Sequence, residues 1–162
     1  MTPKLSTAFQ AARSKVHISN ISILKSIYYA YFHSITKYGI IFWGHSSNSG
    51  KLFTLQKKFM RIMAGAQPRT SCRCLSKQLD ILPVPCHYIL SLMNFIINKQ
   101  EIIQTNSSIH HINTRNKHNL HRPNANLFCF QKSTFYVGIK VFNSLPPSVT
   151  ILKNDKANLK QP

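Results

Sequence analysis

The acidic side chains come first, because most phosphoryl-transfer and hydrolytic chemistry depends on carboxylates placed close together. The sequence contains three of them, Asp80, Glu101 and Asp155, and each stands far from the others along the chain. A two-metal centre needs clustered carboxylates that hold metal ions roughly 4 Å apart, and a paired-carboxylate hydrolase needs its acid and base together. The sequence therefore predicts a chain that has no catalytic residues and is not an enzyme by itself.

Cysteine and histidine could instead bind a metal. The candidates are two short groups and two distant residues: Cys72, Cys74, Cys86, His87, His110 and Cys129. Zinc ligands usually come as pairs separated by about two to four residues, so the single residue between Cys72 and Cys74 fits poorly. Cysteine is also a common core residue, and nothing local orients a histidine as the base of a nucleophile pair. We therefore expect no metal site and no cofactor in this chain.

The cations are the most informative chemistry. Lysine and arginine number 21 against 3 acidic residues, which gives a formal net charge of +18. Since almost no cation can find an internal carboxylate, such a chain repels itself unless it meets a polyanion. Nucleic acid is the first candidate partner and an anionic membrane surface the second. A compositionally biased genome would explain many lysines, but it does not readily explain so few acids.

One group of cations lies on a predicted helix and on the segment that follows it. Lys57, Lys58 and Arg61 fall opposite the apolar side of a predicted helix over residues 51–64. An ordinary solvated helix face would mix acids with these cations, and here there are none. We expect phosphate contacts from the whole group, part of which flanks the next helix start, where backbone N–H groups also favour phosphate. Its members are Lys51, Lys57, Lys58, Arg61, Arg69, Arg73 and Lys77.

A second basic segment, residues 101–132, is rich in histidine and asparagine and has little apolar periodicity. It is predicted to be a long, poorly ordered loop. Arg115, Lys117 and Arg122 are its predicted nucleic-acid contacts, because Arg, Asn and His can read or stack on unpaired bases. The alternative is a linker with no fixed partner, and the residues leave both interpretations open.

Apolar periodicity indicates the elements that must position these residues. The 43% of hydrophobic residues is enough for a core, which we expect to form around Trp43. A largely buried helix is predicted from Ile21, and its tyrosines, Tyr28, Tyr29 and Tyr31, are predicted to be core rather than a stacking platform. Gly65 is a natural C-cap for the 51–64 helix. Composition alone would allow a strand over residues 38–43, and periodicity does not decide between strand and helix there; the run is predicted to be helical only because of the family resemblance described next. Periodicity and capping residues predict the other helices, over residues 21–34, 51–64, 70–79, 86–99 and 133–144.

Five blocks of sequence, in order, resemble the region downstream of the polymerase core in non-LTR retrotransposon reverse transcriptases, most of all the jockey-type elements of insects. The similarity covers roughly residues 20 to 150. The blocks are Tyr38-Gly39-Ile40-Ile41-Phe42-Trp43-Gly44, Leu55-Gln56-Lys57 with Arg61-Ile62-Met63-Ala64-Gly65, Pro68-Arg69-Thr70-Ser71-Cys72, Asn113-Thr114-Arg115-Asn116-Lys117 with Asn119-Leu120-His121, and Gly138-Ile139-Lys140-Val141-Phe142-Asn143-Ser144-Leu145-Pro146.

The resemblance implies a thumb-like fragment of an RNA-directed DNA polymerase. Its expected fold is mostly α, an irregular bundle of about five or six helices with a long basic loop near 101–132 and frayed termini. Expected partners are the RNA template, the cDNA or RNA–DNA hybrid, and the polymerase palm of the same polyprotein, which would supply the catalytic aspartates and Mg²⁺. The alternatives are a stand-alone basic helical nucleic-acid-binding protein and a non-functional element remnant.

The expected organisation has five parts. They are a basic, poorly ordered N-terminal segment (1–18), a helical thumb-like core (19–100), the basic loop (101–132), a C-terminal helix (133–147) and a tail (148–162). No signal peptide is evident, and no apolar run approaches the ~20 residues that span a bilayer. Together with the irregular cysteine spacing, this predicts an intracellular protein, cytoplasmic or nuclear, with no membrane partner and no small-molecule substrate.

Overall fold

The computed structural model describes Thr7, Gln10 and residues 20–99, 102–111 and 114–146. The predicted N-terminal segment, apart from Thr7 and Gln10, and the predicted tail lie outside these residues. The described chain is mostly helical and contains no strand beyond an isolated antiparallel bridge between Thr105 and Leu120. The predicted fold class is therefore confirmed.

Eight helices lie within the described residues, more than the five or six predicted, because two short ones occur inside the segment predicted to be a loop. The first, α1, covers residues 21–37 and joins Ile21–Ile27, the π-helical Tyr28–His33 and Ser34–Lys37. The others are α2 (Ile40–Trp43), α3 (Ser49–Met63), α4 (Cys72–Gln78), α5 (Val84–Asn98), α6 (Asn106–His110), α7 (Phe128–Gln131) and α8 (Thr134–Asn143).

The chain divides into two compact units, Met1–Tyr88 and Ile89–Pro162, so α5 begins in the first unit and ends in the second. The predicted helical core, 19–100, covers the first unit from residue 20 onward and the beginning of the second. The two units are described separately below.

Helix α1 buries one narrow stripe. Leu24, Tyr28, Phe32 and Thr36 are buried at four-residue spacing, which places them on one face of a helix. The buried Thr36 hydroxyl donates a hydrogen bond to the carbonyl of Phe32 at 2.9 Å. The prediction of a largely buried helix is wrong, since Ile27 and Ile35 beside this stripe are only partly buried and four other apolar residues are exposed: Ile21, Ile23, Tyr29 and Tyr31. Of the three tyrosines predicted to be core, only Tyr28 is.

The core of the first unit forms around aromatic rings of α1 and α3, and not around Trp43. Tyr28, Phe32 and Phe59 are each 1% exposed, and the Phe59 ring centroid lies 5.5 Å from that of Tyr28 and 6.0 Å from that of Phe32. Trp43 is half-buried at the edge of this cluster, where its indole N–H donates to the carbonyl of Tyr38. A single helical turn such as α2 can bury little, and of its residues only Ile40 is buried.

Helix α3 ends where its sequence predicts. Gly65 adopts φ +59, its N–H bonds the carbonyl of Ile62 at 3.1 Å, and the Ala66 N–H bonds the carbonyl of Arg61 at 2.9 Å. This is the Schellman arrangement that glycine permits. The Gly65 C-cap is therefore confirmed, and it turns the chain toward the loop that precedes α4.

A polar residue that apolar periodicity overlooks lies at the centre of the first unit. Gln56 is 1% exposed. Its amide nitrogen donates to the Tyr28 hydroxyl and to the Leu82 carbonyl, each at 2.9 Å, and its oxygen accepts from the Val84 N–H at 2.8 Å. Burial raises the pKa of Tyr28 to about 12. Gln56 thus joins α1, α3 and the start of α5.

The core of the second unit packs the later turns of α5 against α8. Leu92, Ile96 and Ile139 have no exposed surface. Gly138 allows the close approach, because a Cβ at that position would lie 2.8 Å from the Ile96 side chain. Ile89 and Leu90, two apolar residues that helical spacing would place inside, are 42% and 48% exposed, since the second-unit cluster reaches only the part of α5 that follows them.

Helix α8 begins after Ser133, whose hydroxyl accepts the Tyr136 N–H at 3.3 Å, as expected of an N-cap. Its observed bounds, Thr134–Asn143, confirm the predicted last helix.

The segment predicted to be a poorly ordered loop is better structured than expected in its described part. Leu120 is 3% exposed, and its backbone N–H and C=O bond the Asn143 side-chain amide at 3.0 and 2.9 Å. The His121 N–H also bonds the Gln104 carbonyl at 2.8 Å. One buried leucine and one side-chain amide therefore fix a segment whose composition is otherwise that of a linker.

Candidate nucleic-acid interface

An open cleft of about 540 Å³ lies in the first unit, between α3, the loop before α4, α4 itself and the start of α5. Its charged lining residues are Lys57, Arg61, Arg69 and Arg73, and no carboxylate is among its lining residues. Apolar side chains such as Phe53, and the two prolines near the start of α5, complete its walls. We call this feature the basic cleft.

Two of the four cations are held in place by neighbouring groups. The Lys57 ammonium lies 4.1 Å from the centroid of the Phe53 ring, a cation–π contact that costs the lysine none of its hydrogen-bond donors. The Arg61 Nε–H donates to the Thr70 carbonyl at 3.0 Å. Because a guanidinium has five N–H donors, Arg61 keeps most of its donors for a ligand while its orientation is restricted.

Arg69 and Arg73 come from the loop before α4 and from α4, and both are exposed. Gly65 and Pro68 end α3 and turn the chain, and the Thr70 N–H closes a turn on the Gln67 carbonyl at 3.0 Å. Helix α4 has only seven residues, so its N-terminus adds little to the local field. The guanidinium groups themselves therefore provide the positive charge at this side of the cleft.

Within the described residues Asp80 is the only carboxylate, and it does not line the basic cleft. It takes the left-handed conformation (φ 55) after α4, and its backbone carbonyl accepts a hydrogen bond from the Tyr29 hydroxyl at 3.2 Å. With no acid among the residues that line it, the cleft presents uncompensated positive charge.

The structure separates the predicted phosphate-binding residues into two sets. Lys57 and Arg61 line the cleft, whereas Lys51, Lys58 and Lys77 are exposed and do not line it. Consecutive helical residues point ~100° apart, so Lys57 and Lys58 face different surroundings although they are neighbours in sequence. Phe53 and Cys86 also line the cleft, and the sequence did not predict this, because neither residue carries a positive charge.

A second cavity, of about 420 Å³, lies in the second unit and is mostly polar. It is lined by Asn106, His110, Leu120, His121, Arg122, Asn124 and Asn143. We call it the polar cavity. Arg122 is the only predicted contact of this segment that lines it; Arg115 and Lys117 do not. Its asparagines were not predicted from the sequence, because Asn106 and Asn124 resemble ordinary loop residues and Asn143 lies at the end of a predicted helix.

Metal binding has no support in the part of the chain that the structure describes. No group of three or more histidine, cysteine or acidic side chains there is placed to hold an ion. All four cysteines are free thiols, and only Cys72 is partly buried.

Comparison with known proteins finds no family model, no curated protein and no solved structure that matches this chain significantly. Among the described helices, none combines the length and the apolar character that crossing a membrane requires.

Proposed function

We propose that this chain binds the sugar–phosphate backbone of RNA or of an RNA–DNA hybrid without reading its sequence. One observation carries the proposal. Lys57, Arg61, Arg69 and Arg73 line a single cleft that no carboxylate of the described residues lines, in a chain of formal net charge +18. Positive charge that the protein does not neutralise internally attracts a polyanion.

The chemistry of the cleft suits phosphate better than bases. A guanidinium matches the geometry of a phosphate and bonds it through two parallel N–H donors. Contacts of this kind fix the position of a nucleic acid but carry no sequence information. The orientation of Arg61 by Thr70 and of Lys57 by Phe53 reduces the side-chain entropy lost on binding.

The resemblance to non-LTR reverse transcriptases gives this activity a biological setting. In that setting the chain is a thumb-like element that grips the RNA template and the cDNA duplex. The palm of the same polyprotein would supply the aspartates and Mg²⁺ for polymerisation. Backbone binding without sequence preference is what such an element requires, because the template changes at every step.

The test is a salt series on the double variant Arg69→Ala with Arg73→Ala, both at exposed positions. Each phosphate contact contributes about 0.9 to the log–log slope of affinity against salt on duplex and about 0.7 on single strands. The double variant should therefore flatten the slope by roughly one to two units and weaken all sequences alike. Fluorescence anisotropy on an RNA–DNA hybrid measures the slope.

The matched control is Lys51→Ala with Lys58→Ala, which removes two charges of α3 that do not line the cleft. Its slope should fall by less than that of the arginine pair. Equal slopes for the two double variants would mean that general charge, and not the cleft, binds the ligand. If the parent chain shows no salt-dependent binding, the proposed function is wrong and the interpretation as a non-functional remnant stands.

A further inference from the structure

We propose that the polar cavity of the second unit is a binding site for an unpaired nucleotide of single-stranded RNA or DNA. The proposal goes beyond backbone binding in the basic cleft. It depends on different residues, and it can hold even if the basic cleft binds nothing.

The size and composition of the cavity fit a nucleotide. Its volume of about 420 Å³ lies within the ~300–1,000 Å³ typical of small-molecule sites. Three amides, two imidazoles and one guanidinium line it, and no carboxylate of the described residues does. The lining therefore offers both donors and acceptors for a base edge, while a phosphate meets a cation and no opposing negative charge.

The amides do not all have the same role. The Asn143 amide is occupied by the Leu120 backbone, with which it makes two hydrogen bonds, so it forms a fixed wall. The Asn106 side-chain nitrogen, Nδ2, donates to the Asn116 carbonyl at 3.1 Å. In contrast, the Asn124 amide makes no hydrogen bond to any residue that the structure describes. An amide has two donors and an acceptor that can pair with the Watson–Crick edge of an unstacked base, so Asn124 is the residue available to read it.

Flat groups lie beside these amides. The rings of His110 and His121 have centroids 5.2 Å apart, tilted by 60°. The Arg122 guanidinium lies 5.2 Å from the centroid of the Tyr136 ring, and Tyr136 contacts Phe130 edge-on at 6.3 Å. Arg122 thus joins the cavity to an aromatic cluster whose member Phe130 is 44% exposed.

Exposed aromatic rings interleaved with cations are typical of single-strand sites, since successive bases stack on the rings while the cations meet the phosphates. The same pattern recurs on α7, where the Lys132 ammonium lies 4.2 Å from the centroid of the Phe128 ring and Phe128 is 68% exposed. A duplex keeps its bases stacked and paired, so its bases cannot enter a cavity. This arrangement therefore favours an unpaired nucleotide over a double strand.

The test compares single-stranded and double-stranded probes of one sequence. The variants are Asn124→Ala, at an exposed position, and Asn124→Ala with His121→Ala. The probes are a fluorescein-labelled oligoribonucleotide of about ten nucleotides and a hairpin duplex of the same sequence. The double variant should bind the single strand about tenfold more weakly, within the range expected for lost stacking on one base, and bind the duplex unchanged. Asn126→Ala, an exposed neighbour that does not line the cavity, should behave like the parent.

Competition separates a nucleotide site from a simple anion site. Uridine 5′-monophosphate should displace the single-stranded probe at a lower concentration than inorganic phosphate does, and this difference should shrink in Asn124→Ala. Equal displacement by both compounds would overturn the proposal and leave an anion site only. Equal losses on single strand and duplex, or no loss in either cavity variant, would also overturn it.

The same titrations distinguish this site from the basic cleft. Arg69→Ala with Arg73→Ala should weaken binding of both probes, but uridine 5′-monophosphate should still displace the single-stranded probe at a lower concentration than inorganic phosphate does, because neither arginine lines the polar cavity. If that variant loses the nucleotide response as well, the polar cavity is not a separate site. If the double cavity variant fails to fold, Asn124→Ala decides the question alone, since the amide it removes bonds nothing among the described residues.

Discussion

Each of the two units attaches a loop to a helix through one side-chain amide. In the first unit Gln56 of α3 bonds the backbone of Leu82 and Val84. In the second unit Asn143 of α8 bonds both backbone groups of Leu120. Neither attachment uses a charged group. In a chain with 3 acids and 21 cations, neutral amides hold the fold together and leave the cations for the surface.

The two amides differ in burial and reach. Gln56 is 1% exposed and has a third hydrogen-bond partner in the Tyr28 hydroxyl. It therefore links two segments that are distant in sequence at the centre of a core. Asn143 is half-buried and serves a single residue beside the polar cavity. Water could replace the bonds of Asn143 but not those of Gln56. The first unit should therefore depend on its amide for global stability, and the second for the local order of one loop.

The largest expected effect is that of Gln56→Met, which keeps the side-chain length but removes all three hydrogen bonds. It leaves two buried groups, the Val84 N–H and the Tyr28 hydroxyl, and the partly buried Leu82 carbonyl without this partner. Each stranded group costs about 1–3 kcal/mol, and partial relaxation lowers the sum, so we expect a loss of about 3–5 kcal/mol of unfolding free energy. Urea denaturation followed by circular dichroism measures it.

Gln78→Met is the control, because Gln78 is an exposed residue at the end of α4, and it should change stability by less than about 0.5 kcal/mol. Tyr28→Phe removes only one of the three bonds and should fall between the two. A Gln56→Met protein as stable as the parent would mean that the amide network does not hold the first unit together.

Asn143→Ala should have a smaller and more local effect. It removes the two bonds to Leu120, but water can reach a half-buried site, so the expected loss is about 1–2 kcal/mol. Amide hydrogen exchange should rise most at Leu120 and its neighbours. Asn94→Ala, an exposed position on α5, is the control and should leave exchange unchanged. Exchange that rises evenly over the second unit would contradict the local role assigned to Asn143.

The sequence predicted the long elements and missed the polar attachments, for one physical reason. Helices such as α3 and α8 are indicated by apolar residues at helical spacing and by capping residues such as Gly65 and Ser133. A buried glutamine breaks the apolar pattern instead of extending it. A buried glutamine contributes to stability through hydrogen bonds to backbone groups far along the chain, and a single sequence does not show which groups those are.

The candidate site was predictable to a similar extent. The excess of cations indicated a basic surface, and four of the predicted residues line the basic cleft: Lys57 and Arg61 of α3, Arg69 of the loop before α4, and Arg73 of α4. The prediction included three further residues because of their charge, but charge alone does not show toward which surface a side chain points: Lys51, Lys58 and Lys77. The polar cavity was hidden because its shape depends on Leu120 being anchored inside a segment that looks like a linker.

The smallest expected effect comes from a second comparison, between two histidine pairs. The rings of His33 and His87 in the first unit and of His110 and His121 in the second have centroids 5.2 Å apart in each case. Burial, followed by the positive charges of His87 and Lys37, lowers the pKa of His33, and burial and Lys37 lower that of His87. The rings of Tyr28 and Tyr29 also contact His33.

A lowered pKa in the folded state means that the unfolded chain binds the proton first as the pH falls through about 6.5. The first unit should therefore be fully stable above that pH and lose stability as the pH falls toward the lowered pKa. His33→Gln removes one of the two groups and should reduce the difference between urea midpoints at about pH 7.5 and about pH 5.5. His110→Gln, at the exposed member of the second pair, is the matched control. An acid sensitivity that is unchanged in His33→Gln, or that is reduced equally in both variants, would show that burial of the first pair does not set the pH response.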